Sequence, residues 1–118
     1  MEKITLDFSK QEKELLDECI RQTKIKPTPL LRALIKLSYD EILEEIEKDQ
    51  QITITIPEEM QTEKVYRLPI PVDEEIQSKC EKVKRYLPMH SATFTKIMVM
   101  QKLKNINSKK QSIEGVLA

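Results

Sequence analysis

The stretch Lys3-Ile4-Thr5-Leu6-Asp7-Phe8-Ser9 decides the fold. Ile4, Leu6 and Phe8 alternate with Lys3, Thr5 and Asp7, a period of two that predicts a short strand with an apolar face and a polar face. Ser9 followed by Glu12 has the form of a capping box, in which the serine oxygen takes a helix amide and the glutamate reaches back to the serine amide. The spacing therefore predicts a strand over 3–8 that runs straight into a helix. A strand this short needs a backbone partner and something apolar beneath it, and the rest of the chain has to supply both.

Working outward, Leu15, Leu16, Cys19, Ile20 and Thr23 fall at helical spacing and predict a helix over 10–24. The prolines of Ile25-Lys26-Pro27-Thr28-Pro29 interrupt it, and a proline suits a first helical turn, where its missing amide needs no partner. A second helix is expected over 29–48, with Leu30, Leu31, Leu34, Ile35, Leu37, Ile42, Leu43 and Ile46 as its apolar positions. Asp40, Glu41, Glu44, Glu45, Glu47 and Asp49 crowd its C-terminal end, where the macrodipole disfavours them by roughly a few tenths of a kcal/mol each. That end is expected to sit in water. Residues 50–64 form a connector in which Ile52-Thr53-Ile54-Thr55-Ile56 alternates well enough for an extra strand.

The opening plan then returns. Leu68, Ile70 and Val72 alternate with Arg67, Pro69 and Pro71, and Asp73 stands where Ser9 stood as an N-cap. The same offset of 64 residues places Cys80 on Leu16, Val83 on Cys19, Phe94 on Leu30, Lys96 on Arg32 and Ile106 on Ile42. Strand 66–72, helix 74–86 and helix 92–105 complete a second strand-helix-helix unit. The expected organisation is a first repeat over 1–49, the connector, a second repeat over 65–106 and a frayed tail over 107–118, with both repeats sharing one core.

Composition agrees with a helical domain of this size: 118 residues, 39% apolar, one Gly and six Pro. No window approaches the roughly 18 consecutive apolar residues of a membrane span, and the N-terminus lacks the features of a secretory signal, so a cytoplasmic protein with no membrane contact is expected. Cys19 and Cys80 lack metal-ligand spacing and read as buried free thiols. A single His and scattered carboxylates assemble no nucleophile-base pair, metal cluster or phosphate loop, so neither an enzyme nor a cofactor or metal site is expected. Zero net charge hides an asymmetry: residues 76–118 carry nine Lys/Arg and two acids, leaving eleven Lys/Arg and eighteen acids in residues 1–75. Such blocks fit a polyanion-facing surface opposed by an acidic one, or solvated helix faces.

A strand, a capped helix, a short break and a second helix within about 45 residues resemble the ribbon-helix-helix family of DNA-binding proteins, which includes the Arc, MetJ and CopG repressors. The resemblance is carried by Lys3-Ile-Thr-Leu-Asp-Phe-Ser9, by Pro27-Thr-Pro-Leu-Leu-Arg-Ala-Leu-Ile35, and more loosely by Arg67-Leu-Pro-Ile-Pro-Val-Asp73 with Ser91-Ala-Thr-Phe-Thr-Lys-Ile-Met98. Two copies in one chain look like a single-chain version of the usual intertwined dimer, similar to the TraY relaxosome proteins of conjugative plasmids. The resemblance implies a mainly α fold with a short two-stranded antiparallel ribbon, a tandem ribbon-helix-helix pseudo-dimer. It further implies a ribbon lying in the major groove of double-stranded DNA, where Lys3, Thr5, Asp7 and Arg67 would meet base edges. The starts of the second helices would clasp phosphates through Lys26, Thr28 and Arg32 in the first half and His90, Ser91 and Lys96 in the second.

The expected function is sequence-specific binding, as a transcriptional repressor or a plasmid relaxosome or partition accessory. A monomer suffices for one ribbon, and further assembly could occur on DNA. The rival expectation is an antitoxin-like protein-interaction module on the same fold, with a protein partner on the acidic helix end.

Overall fold

The computed structural model describes residues 3–48, 63–87 and 89–108. Its elements run β1 (Lys3–Ser9), α1 (Lys10–Thr23), α2 (Pro27–Glu47), β2 (Lys64–Pro71), α3 (Glu74–Lys84) and α4 (Ser91–Asn107). The chain is mainly helical with one two-stranded antiparallel sheet, β1 against β2. Among the described residues no helix is long and apolar enough to cross a membrane. The expected strand at 52–56 and the tail beyond Ser108 lie outside the described residues.

The strand-to-helix junction forms as its residues dictate. Ser9 is extended at φ −73°, ψ 172°; the Glu12 amide donates to Ser9 Oγ at 3.3 Å and the Ser9 amide donates to Glu12 Oε1 at 2.8 Å. Both arms of the capping box close. Asp73 does the simpler version for α3, its carboxylate accepting from the Ile76 amide at 2.9 Å.

The break between α1 and α2 is made without glycine. Lys24 turns left-handed at φ 60° and its amide donates to the Ile20 carbonyl at 2.8 Å, closing the last turn of α1. A side chain with a Cβ pays roughly 1–2 kcal/mol to sit in that region, and glycine sits there freely. Lys24→Gly is accordingly expected to stabilise the fold by about 1 kcal/mol in urea denaturation, with an unchanged slope. Pro27 then opens α2 at its first position, two residues earlier than the expected start at Pro29.

The ladder pairs Lys3 with Pro71, Ile4 with Ile70, Thr5 with Pro69, Leu6 with Leu68, Asp7 with Arg67 and Phe8 with Tyr66. The register then shifts, Ser9 pairing with Lys64 and leaving Val65 as the extra, exposed residue of a bulge. Proline cannot donate, so Thr5–Pro69 must be a non-hydrogen-bonded pair. By alternation Lys3–Pro71 and Asp7–Arg67 are non-hydrogen-bonded as well, the sites where facing side chains come closest.

The other face of the ribbon is the roof of the core. Leu6, Phe8, Ile70 and Val72 are buried, with Ile4 and Leu68 packed half-buried beside them. Below them lie Leu16, Cys19, Leu30, Leu31, Leu34, Ile35, Tyr39, Phe94, Val99 and Leu103. The helices pack crosswise: α1 lies chiefly on α4, α3 chiefly on α2, and α2 also meets α4. Cys19 and Cys80 are free thiols, Cys19 buried as expected and Cys80 only half-buried; burial pushes the Cys19 thiol up to about 11, and its sulfur donates to the Leu103 carbonyl at 3.2 Å.

Candidate nucleic-acid interface

The polar face of the ribbon carries Lys3, Thr5 and Asp7 from β1 and Arg67, Pro69 and Pro71 from β2. Lys3, Thr5, Arg67 and Pro69 are exposed; Asp7 and Pro71 are half-buried. Of the four expected base readers, two hold each other: Arg67 Nε donates to Asp7 Oδ1 at 2.9 Å, directly across the ladder. Lys3 faces Pro71 instead, and among the described residues it forms no ion pair.

The starts of the second helices differ from those of the first. α1 and α3 are capped by their own side chains, whereas the N-caps of α2 and α4, Lys26 and His90, make no side-chain cap bond. Helix geometry leaves the first amides of any helix without an internal carbonyl. In α4 those are the amides of Ser91, Ala92 and Thr93, since the Phe94 amide already reaches the His90 carbonyl at 3.0 Å. In α2, Pro27 and Pro29 have no amide hydrogen, so Thr28 alone keeps one before Leu30 bonds Lys26. The two helix starts therefore present unequal numbers of amides without a helical acceptor.

The first turn of α4 sits beside the centre of β1. A recess of about 240 Å³ is lined by Thr5, Leu6, Asp7, Lys64, Ala92, Thr93 and Lys96. A second, of about 260 Å³, runs from Lys3 and Thr5 past Ser91 and Ala92 to Tyr39. There the Tyr39 hydroxyl lies 2.6 Å from Thr95 Oγ1, and burial pushes the tyrosine far above its ordinary value. On the other edge Arg32 Nε donates to the Pro71 carbonyl at 2.9 Å and ties α2 to the end of β2.

Lys26, Thr28, His90 and Ser91 thus lie at helix starts, His90 and Lys26 exposed and Thr28 and Ser91 half-buried. Arg32 and Lys96 were expected beside them as phosphate contacts, and the structure gives both an internal partner. Lys96 is the larger departure: it is 5% exposed, and its ammonium lies 2.7 Å from Glu12 Oε1. Burial pushes the Lys96 ammonium below the usual lysine range. For Glu12 burial alone would raise the carboxyl, but the Lys96 ammonium and the Ser9 amide outweigh it and hold it below the usual carboxylate range. Glu12 Oε2 is buried with no hydrogen-bond partner among the described residues.

Lys64 is the cation the sequence reading passed over, because that reading started the second strand at Tyr66. The bulge at Val65 extends β2 to Lys64, whose ammonium comes within 3.8 Å of Glu12 Oε1 at the wall of the recess. In sequence Lys64 shares the period of Tyr66 and Leu68, and only the bulge at Val65 turns it across the ribbon to pair with Ser9. No protein-family model, no curated protein and no solved structure matches the chain.

Proposed function

We propose that this protein binds double-stranded DNA sequence-specifically by laying the β1–β2 ribbon in the major groove, as a tandem ribbon-helix-helix pseudo-dimer within one chain. Its role is that of a transcriptional repressor or of a relaxosome or partition accessory. The observation that carries this reading is the ribbon itself: a two-stranded antiparallel ladder, apolar below and polar above, exposing Lys3, Thr5 and Arg67 over a helical base. A ribbon of that width fits the major groove, where Arg and Lys meet guanine acceptors and Thr meets a base edge or a thymine methyl.

Two features support the pseudo-dimer. At an offset of 64 the counterpart of Thr5 is Pro69, and the ladder pairs these two residues, as an axis of approximate two-fold symmetry through the ribbon requires. The crosswise packing of α1 on α4 and α3 on α2 is likewise what two intertwined halves produce, each first helix lying on the other half's second helix. On this reading one molecule suffices for one ribbon, and its site on DNA is asymmetric because the halves differ. The start of α4, with three amides that have no helical acceptor and Ala92 and Thr93 in the wall of the recess that Lys64 also lines, is the stronger phosphate seat. The start of α2, with one amide and Lys26, is the weaker.

The rival reading, a protein partner on the acidic end of α2, draws less support. There Asp40 is engaged by Lys79, and Glu41 lies 2.7 Å from Lys102, so internal cations meet two of its carboxylates.

Fluorescence anisotropy with duplexes covering the protein's own promoter, across a salt series, tests the proposal. Binding is expected to weaken steeply and log-linearly with salt, as phosphate neutralisation demands. Absence of binding at low salt contradicts it. Arg67→Ala is expected to cost about 1–3 kcal/mol on the preferred duplex and to relax specificity at one position. An equal loss on every sequence would make Arg67 a phosphate contact instead.

A further inference from the structure

We infer that Asp7 does not read a base but fixes Arg67 as the reader of a single guanine, making the Arg67 end of the ribbon stringent and the Lys3 end permissive. The inference rests on the DNA-binding reading above. It assigns to Asp7 a positioning role, distinct from the direct base contact that the family resemblance implied.

The geometry is specific about which part of Arg67 is held. The contact runs from Nε to Asp7 Oδ1 at 2.9 Å, and among the described residues neither terminal nitrogen has a partner. An arginine gripped at Nε keeps its two terminal nitrogens side by side and in plane, pointing away from the carboxylate. That is the donor pair that spans O6 and N7 of guanine. The Arg67 side chain is 75% exposed and that of Asp7 38%, so the carboxylate sits lower on the ribbon and the guanidinium stands above it, toward the groove. The pair occupies a non-hydrogen-bonded site of the ladder, where facing side chains approach most closely.

Asp7 also explains itself electrostatically in this role. A carboxylate on a DNA-facing surface is repelled by phosphates, and one that contributed nothing would weaken binding to every sequence alike. Paired with Arg67 it is neutralised, and it disfavours any base that leaves the guanidinium to find another orientation. The pair is too exposed to matter much to the fold, since surface pairs of this kind contribute little to stability.

The opposite end of the ribbon lacks the device. The ladder sets Lys3 against Pro71, which has neither charge nor donor. Lys3 therefore keeps a rotatable ammonium that takes guanine acceptors, a thymine carbonyl or a phosphate with little distinction. Pro69, beside Thr5, reads nothing by hydrogen bonding. The preferred duplex should show one strongly fixed guanine on the Arg67 side of the site's centre and weak preferences on the Lys3 side.

The test is selection of bound duplexes from a randomised pool by the full chain, followed by affinities on the selected site and on its single-base variants, for wild type, Asp7→Asn and Arg67→Lys. Circular dichroism checks that both variants keep the fold. Wild type is expected to fix one guanine by about 5- to 150-fold over other bases, the range of one bidentate contact. Both variants are expected to lose most of that discrimination at the same base pair, while their affinity for unrelated DNA at low salt stays equal or rises. If Asp7→Asn tightens binding to all sequences alike and keeps the guanine preference, the carboxylate is merely repulsive and the inference fails. Loss of preference at a cytosine that Arg67→Lys leaves untouched makes Asp7 a direct reader and also overturns it. Wild type that binds without preference overturns the inference but leaves DNA binding standing; wild type that binds no DNA overturns both.

Discussion

Glu12→Ala is expected to destabilise the protein by about 3–5 kcal/mol, the cost of leaving one partner of a buried ion pair alone. Glu12 and Lys96 are 2% and 5% exposed and lie 84 positions apart, joining α1 to α4 at 2.7 Å. Removing the carboxylate strands a buried ammonium that already sits below the usual lysine range. It also opens the capping box, since the Ser9 amide loses its acceptor. Glu12→Gln separates the two effects: glutamine can still cap Ser9 but cannot neutralise Lys96. The double variant Glu12→Gln, Lys96→Met is expected to recover most of the loss, because an apolar replacement removes the desolvation cost together with the charge.

The same pair sets a pH dependence. The folded Glu12 carboxyl lies below its ordinary 4.5, so the unfolded chain binds more protons in that window. Stability from this pair is complete above that value and is lost as pH falls through the folded value. The Glu12→Gln variant should show a flatter acid limb than wild type in urea midpoints.

Phe8→Ala is expected to cost about 3–5 kcal/mol, as for other fully buried aromatic truncations. Phe8 is 0% exposed, its ring centroid lies 6.2 Å from that of Tyr66, and Lys96 Nζ is 5.8 Å from the ring. It anchors the end of β1 that leads into the capping box. The loss should therefore accelerate hydrogen exchange in the ribbon before it does so in the middle of α2. Because Phe8 and Lys96 touch, its effect and that of Glu12→Ala should not add.

The elements of the fold were legible because each announces itself locally. Alternation over Lys3 to Phe8, the Ser9–Glu12 cap and the prolines ahead of Leu30 are signals carried within a few residues. The antiparallel partner of β1 was legible from the recurrence of the same alternation at Leu68, Ile70 and Val72. What was not legible depends on residues far apart in the chain. Lys96 occupies an N-terminal helical position that reads as solvent-facing, and only the packing of α4 on α1 brings it to Glu12. Arg32 reads as a phosphate contact until β2 places the Pro71 carbonyl beside it. Alternation sets Lys64 on the apolar side with Tyr66 and Leu68, and the bulge at Val65 that turns it to face Ser9 belongs to the ladder. On the ribbon face the residues were legible and their coupling was not: Asp7 and Arg67 were both expected as readers, and the register that pairs them belongs to the ladder.

In the proposed function the polar face of the ribbon is the surface that meets DNA. Titrating the isotopically labelled protein with a short duplex at low salt, and following backbone amide shifts, tests it most directly. The largest shifts are expected at Lys3, Thr5, Asp7 and Arg67, with Ala92 and Thr93 of the α4 start moving alongside them. Shifts confined to the acidic end of α2, from Asp40 to Lys48, or no shifts at all, would contradict it.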